Sequence, residues 1–434
     1  MSMSGSRDNV LANLLQQGSG MLLFLLLPHA LDVQEYSQLT VLVTLISLSV
    51  ISDLGISHIY TRKMPGLLAA GNGEAIQTWD VSVLFFRVVG ALFFGVLAGI
   101  YFGVRTGNCG EGVLLAILFP VAAVGAFVVS RCVVSASFHE VKAISMVQSL
   151  GRLLCIPGAF AVGVSGWLGG QLFSGLSLLV FRAKRRQLGD LFGAVRSFDR
   201  SLIRGHAAEA FSLCLIATVW AQFAASGRLF AVLYYPNEVV AAYGLAGALY
   251  QIGTSVILAA FVPQTVRLYR FFSSDLPGGV THAFRIAAIG SSVVLALSLL
   301  GVFLAPLLFT HLFPKYQIQA SLLTPLILSM VSCVVVSVFG SVLIGTGKAR
   351  IYLAALLLFF AISMLLPKAL EPWFAYDAAA LAQLVALSCY SLALVGIAYR
   401  NFGRFLVRKH HFWITVLPPI LAVVLGLFLA RTSG

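Results

Sequence analysis

Apolar runs of about 20 residues, broken by short polar connectors, follow one another along the whole chain, and none shows the alternation of a half-buried strand. Windows of that length place helices near 9–29, 37–60, 80–103, 112–131, 142–162 and 164–182. Seven more follow near 206–228, 239–263, 284–309, 318–345, 350–367, 376–398 and 412–430. Inside a bilayer every backbone N–H and C=O needs a partner within its own segment or a closed barrel, so continuous runs of this kind read as membrane-crossing helices. The last run has an alternative reading as a re-entrant or interfacial helix. Pro28-His29-Ala30 stands where a signal-peptide cleavage region could lie, yet the run stays helix-compatible from Asn9, which predicts a retained first helix.

Composition agrees with a lipid solvent. The chain has 434 residues, 59% hydrophobic and 10% charged, whereas a soluble chain carries about 25% charged residues. The net charge of +13 would suggest nucleic acid in a soluble protein. Here the basic residues sit in connectors, so they report topology and no nucleic-acid partner is expected. With a cytoplasmic N-terminus the inner connectors hold Arg7, Arg62, Lys63, Arg131, Lys142, the seven basic residues of 182–204, Arg267, Arg270, Arg285, Lys348, Arg350, Arg400, Arg404, Arg408 and Lys409. That is 21 of the 28 Lys and Arg residues. Arg105, Arg228, Lys315, Lys368 and Arg431 fall outside, and Arg87 and Arg152 lie within helices. A missed or extra helix would scramble this bias downstream, so it supports a twelve-helix core with an added C-terminal helix.

The connectors also carry a repeat. Tyr36 and Tyr243, each after an acidic turn, are 207 apart, Arg62 and Arg267 are 205 apart, and Lys142 and Lys348 are 206 apart. Three markers at one offset predict an all-α polytopic membrane protein of two parallel six-helix bundles around a central cavity. The expected organisation is an N-terminal six-helix lobe over 1–182, a basic linker over 183–205, a C-terminal six-helix lobe over 206–400, and a basic loop plus thirteenth helix over 401–434. In the linker, Leu188, Leu191, Phe192, Val195, Phe198 and Leu202 recur at helical spacing while Arg196, Arg200 and Arg204 follow another face. Such a segment is expected to lie on the inner leaflet against anionic lipid.

Several stretches resemble bacterial polysaccharide flippases of the multidrug/oligosaccharidyl-lipid/polysaccharide exporter superfamily. They are Pro28-His29-Ala30-Leu31-Asp32-Val33-Gln34-Glu35-Tyr36, Ser52-Asp53-Leu54-Gly55-Ile56 with Thr61-Arg62, Pro236-Asn237-Glu238 through Tyr243, Leu312-Phe313-Pro314-Lys315-Tyr316, and Gly345-Thr346-Gly347-Lys348. Their order covers almost the whole chain. The chain departs from the family's pattern at Ser37, where glycine is usual, and at Ser226-Gly227-Arg228, where an aspartate is common. The resemblance implies alternating-access movement of an undecaprenyl-pyrophosphate-linked oligosaccharide from the inner to the outer leaflet of a bacterial cytoplasmic membrane. It also implies polysaccharide assembly proteins as partners.

The buried polar residues suit such cargo. Arg152, ten residues past Lys142, lies about 15 Å into its helix at about 1.5 Å per residue. A central arginine costs about 2.5–3.5 kcal/mol on insertion scales, so it should face protein or water. Ser145, Gln148 and Arg152 share one helical face, and guanidinium binds phosphate oxygens bidentately. Arg152, Arg87 and Gln148 are therefore the candidate pyrophosphate ligands. An alternative for either arginine is to brace helix packing through carbonyls or an acid such as Asp53. Asn13, Gln16 and Gln17, with Gln222, could meet sugar hydroxyls or make interhelical hydrogen bonds. Asp53 and Glu209 are candidate ion-coupling acids, with a helix-end or ion-pair role as the other reading of Asp53.

Six single cysteines form neither a disulfide pattern nor a metal motif. No carboxylate pair, HExxH, phosphate-cradling glycine loop or nucleophile motif occurs, so no catalytic residue, metal or cofactor is expected. Rival readings are a drug or cation antiporter or a lipid-linked precursor flippase of the same superfamily. A glycan polymerase or membrane acyltransferase is a third, disfavoured by outside connectors of a dozen residues or fewer and by histidines that all lie near helix ends.

Overall fold

The computed structural model describes residues 3–135, 137–183, 199, 201, 204–316, 320–403 and 409–433. Helices account for nearly all of them, and no strand occurs among the described residues. Most of the predicted linker, 183–205, lies outside them, as do the side chains of Asn13 and Gln17.

The chain forms two compact units, Met1–Thr218 and Val219–Gly434. The first holds α1 (Met3–Ala30), α2 (Val33–Leu48), α3 (Ile56–Ala69), α4 (Gly73–Thr106), α5 (Cys109–Val134), α6 (Phe138–Leu153) and α7 (Cys155–Ala183). Helix α8 (Ala207–Phe223) begins in the first unit and ends in the second. The second continues with α9 (Ser226–Tyr234), α10 (Asn237–Ser274), α11 (Leu276–Leu312), α12 (Ala320–Gly345), α13 (Ala349–Phe374), α14 (Ala378–Ala398) and α15 (Lys409–Ser433).

Local chemistry sets several of these boundaries. Asp32 and Glu35 form a reciprocal capping box at the start of α2, which satisfies donors that a helix N-terminus leaves free. The predicted run 37–60 is not one helix. It leaves α2 through a 3-10 turn, Ser49–Asp53, and restarts as α3 after Leu54 and Gly55, both at positive φ. Apolarity alone carried that prediction across the break, because a left-handed pair interrupts a helix without changing its hydropathy. Starts recur in the two units as in the sequence repeat: Val33 and Asn237 are 204 apart, and Gly73 and Leu276 are 203 apart.

Helix α7 reverses direction within Cys155–Ala183. Val162 and Gly163 leave helical geometry, with Gly163 at φ +61°, a conformation open to glycine at no steric cost. The flanking segments then run back along each other, with Gly151 against Ser174, Cys155 against Gly170 and Gly158 against Gly166. The crossing is close enough that a Cβ on Gly166 would sit 1.9 Å from the Gly158 carbonyl oxygen. The predicted division at 162 and 164 falls at this turn.

Among the described residues, eight helical stretches are long and apolar enough to cross a membrane, or ten if each of two bent pairs is one span. Three places separate this from the thirteen predicted runs. The described apolar part of α1, Gly18–Ala30, is shorter than a span; α13 and α14 run on through Ala375 as one apolar stretch; and α7 holds two predicted runs on either side of its reversal. The chain is a multi-pass, all-α membrane protein.

The first unit packs around Tyr60, Trp79, Val83, Phe127, Ile144 and Leu178. The second packs around Tyr250, Leu328, Val331, Leu384 and Ala422. Helix α15 belongs to that second core: Thr415 donates to the Phe284 carbonyl at 3.3 Å, and Gly426 lies against Leu384. It is also a candidate membrane span, in keeping with a crossing thirteenth helix. The hairpin crossing has a direct test. Gly166→Ala should cost about 1–3 kcal/mol of stability in detergent, the usual cost of overpacking, while Gly169→Ala, with nothing within 4 Å of the added methyl, should change it by less than about 0.5 kcal/mol. Equal melting temperatures for the two variants would contradict the crossing.

Candidate functional sites

The polar stripe along the C-terminal half of α6 in the first unit is built where α1, α6 and the return segment of α7 pack together. Gln16 on α1 donates through Nε2 to Ser145 Oγ at 3.2 Å. The Gln148 carbonyl accepts from Ser174 Oγ at 3.1 Å, and the Gln148 amide faces α5 at Gly125. Ser149 Oγ is buried and has no partner. Arg152 occupies the last turn of α6, half-buried, beside the buried Cys155. It has no ion-pair partner among the described residues.

A proline explains why polar groups collect there. Pro157 lacks the N–H that would bond to the carbonyl of Leu153, and the helix accordingly breaks at Leu154, two residues beyond Arg152. Non-helical backbone at membrane depth is tolerated where it is buried in protein or lines a water-filled cavity. A cation at a helix C-terminus is also favoured by the exposed carbonyl ends.

Arg87 and Asp53 are brought to each other. Gly90 on α4 lies against the Ser52 carbonyl, where a Cβ would approach to 1.9 Å, and one turn earlier Arg87 Nε lies 3.7 Å from Asp53 Oδ2. Asp53 Oδ1 also accepts from the Gly55 N–H at 2.7 Å. Arg87 keeps one buried donor, Nη1, without a partner. Glu209, in contrast, is exposed in the first turn of α8.

Two arrangements went unread in the sequence. The first joins three helices at one end of the first unit. Asp80, 1% exposed, accepts from the Tyr60 hydroxyl at 2.6 Å and faces Arg131 Nε at 3.0 Å. The Tyr60 phenol is the donor in that contact. A cavity of about 470 Å³ opens beside them, lined also by Gln77, Cys132, Ser137 and Glu140. The available signal was that Asp80 and Arg131 occupy adjoining ends of consecutive antiparallel helices. Next to it, Lys63 Nζ lies 2.7 Å from His206 Nε2, and Trp79 stacks on the His206 ring at 5.8 Å.

The second arrangement corrects the expected position of Arg228. It is not in an outside connector: α8 ends at Phe223, the chain bends by 73°, and Arg228 lies in α9, 4% exposed. Gln383 holds the break, donating to the Ala224 carbonyl and accepting from the Gly227 N–H, each at 2.9 Å. With its amide oxygen turned inward, Gln251 accepts from both terminal nitrogens of Arg228 at 3.1 and 3.2 Å. The adjoining cavity is about 10 Å³, room for about one water. Gln222 is buried at the end of α8.

No family profile matches the sequence, and no curated protein sequence matches it. Solved structures do. A mutant of the Vibrio cholerae MATE transporter VcmN aligns with a TM-score of 0.62 and 15% identity, over 92% of this chain and 96% of that one. The chain has the fold of these transporters. A lipid II flippase, MurJ, in an inward closed conformation aligns at 0.62 with 11% identity, over 99% of this chain and 98% of that one. A multidrug resistance MATE family transporter of the MOP superfamily, inward-facing, aligns at 0.63 with 15% identity, over 92% and 96%.

The Arg87 to Asp53 pair can be weighed by a double-mutant cycle with Arg87→Gln and Asp53→Asn. A coupling energy of about 0.5–3 kcal/mol is expected for contacting charges. Strict additivity of the two single effects would show that the 3.7 Å approach contributes nothing.

Proposed function

We propose that the chain is a flippase that moves an undecaprenyl-pyrophosphate-linked oligosaccharide from the cytoplasmic to the outer leaflet of a bacterial inner membrane. The observation that carries this reading is Arg152. It is a cation about 15 Å into a membrane helix at about 1.5 Å per residue, next to a helix break, with no ion-pair partner among the described residues. The other two arginines discussed in the first unit, Arg87 and Arg131, face Asp53 and Asp80. An uncompensated guanidinium at that depth calls for an anion, and a pyrophosphate offers the bidentate geometry that guanidinium prefers.

Support also comes from the likeness of fold to a lipid II flippase and from the flippase-like stretches of the sequence. In this reading Gln148 assists Arg152, and Arg87 contributes through its unpartnered Nη1. Gln16, already bonded to Ser145, and Gln222 are the amides nearest to a sugar-contacting role. The bias of the basic connectors favours a cytoplasmic N-terminus, and the basic residues of the 183–205 linker favour anionic lipid as a partner. A drug or cation antiporter is the second reading; Asp53 and Asp80 suit a cation less well because each faces an arginine.

The test is Arg152→Ala at unchanged membrane abundance in cells that make the polysaccharide. Surface polysaccharide should be lost and lipid-linked oligosaccharide should accumulate on the inner leaflet, with Arg152→Lys keeping part of the export. Wild-type export by Arg152→Ala would remove Arg152 from the site.

A further inference from the structure

The geometry points to the Tyr60, Asp80 and Arg131 cluster as a proton-binding latch on the side that the basic connectors mark as cytoplasmic. Three observations lead there. Asp80 is 1% exposed, buried more deeply than Glu111 at 6%. Its two oxygens tie α4 to α3 through the Tyr60 hydroxyl and to α5 through Arg131. A cavity of about 470 Å³ reaches the pair, giving a buried acid a path for water and protons.

The charges select the ligand. The cavity faces Asp80 and Glu140 against Arg131, a formal sum of −1, which disfavours a phosphate. A metal cation at Asp80 would stand against the guanidinium 3.0 Å away, and no cluster of three His, Cys, Asp or Glu residues occurs among the described residues. A proton meets neither obstacle. It adds to a carboxylate oxygen, the ion pair is abolished, and Arg131, with its side chain already 40% exposed, can turn its charge into the cavity.

Protonation thereby unties α5 from α4, while deprotonation draws Arg131 back. The other groups facing Asp80 are the Tyr60 phenol, Cys132 and Glu140, with Lys63 and His206 one residue further along at Trp79. As an element of coupling the latch rests on the transport reading proposed above. Its test needs no cargo, so the two can fail separately.

Cys132 supplies the readout. It adjoins Arg131, lines the cavity, is 5% exposed, and its thiol lies 3.4 Å from Glu140 Oε2. The full chain, with the other five cysteines replaced by serine or alanine, is reconstituted in vesicles and treated with a small thiol reagent from neutral to acidic pH. Thiol reactivity ordinarily falls on acidification because the thiolate is the nucleophile. A latch that opens on protonation should make Cys132 labelling rise several-fold instead.

Asp80→Asn, which imitates the protonated acid, should label fast throughout, and Glu140→Gln should keep the wild-type profile. If Asp80→Asn does not fold, Arg131→Gln serves. Removing Arg131 removes the tie itself, so this variant should also label fast across the whole pH range. A wild-type rate that falls with the thiolate fraction would overturn the proposal, as would a profile abolished by Glu140→Gln or left unmoved by Arg131→Gln.

Discussion

A charge inside hydrocarbon must be paired, or face water or a ligand, and the arrangement of the first unit follows from how its charges meet that condition. Asp53 and Arg87 answer one another across the 3-10 turn that interrupts the second predicted run. Asp80 and Arg131 do so between the ends of α4 and α5, with Tyr60 as a third partner. In the second unit Arg228 takes a different route, with a neutral amide supplying the acceptor. Such pairs are weak evidence for stability, since desolvation offsets much of the Coulomb gain, but breaking one leaves an uncompensated charge.

Arg152 breaks this pattern. Cys155 lies beside it, and the preceding positions of its own helix, at seven, four and three residues before it, are Ser145, Gln148 and Ser149. The same sequence features that make the place polar also make it irregular, because Pro157 removes a helix hydrogen bond beside it. Gly163 then turns the chain back on itself within ten residues. The start of α7 at Cys155 directly follows the break at Leu154, and a half-helix N-terminus beside an unpaired cation is the form expected where an anion binds. That convergence, rather than the likeness of fold, gives the transport reading its chemical content.

Much of the architecture was legible because bilayer thickness imposes one length on every apolar run. The division between the runs ending at 162 and starting at 164 falls at a turn of the chain, a helix covers 412–430, and helix starts recur at 203–204 residues. What apolarity could not report was the interruption of a run by backbone conformation, at Leu54-Gly55 and at the bend after Phe223. Arg228 was misplaced for that reason: a charge just past an apolar run reads as a connector, although the chain bends and buries it. At the candidate sites, helical spacing put Ser145, Gln148 and Arg152 on one face of α6. The Asp80 to Arg131 pair needed a register between two helices that no spacing within either one contains.

Translocation itself tests the central claim most directly. Full-length protein would be reconstituted in vesicles containing an undecaprenyl-pyrophosphate oligosaccharide labelled on its sugar, and a membrane-impermeant quencher added outside. Quenching should proceed beyond the fraction initially in the outer leaflet, and do so in protein-containing vesicles alone. A plateau equal to that of protein-free vesicles, from protein that still exchanges a drug or cation across the same membrane, would contradict the account and favour the antiporter.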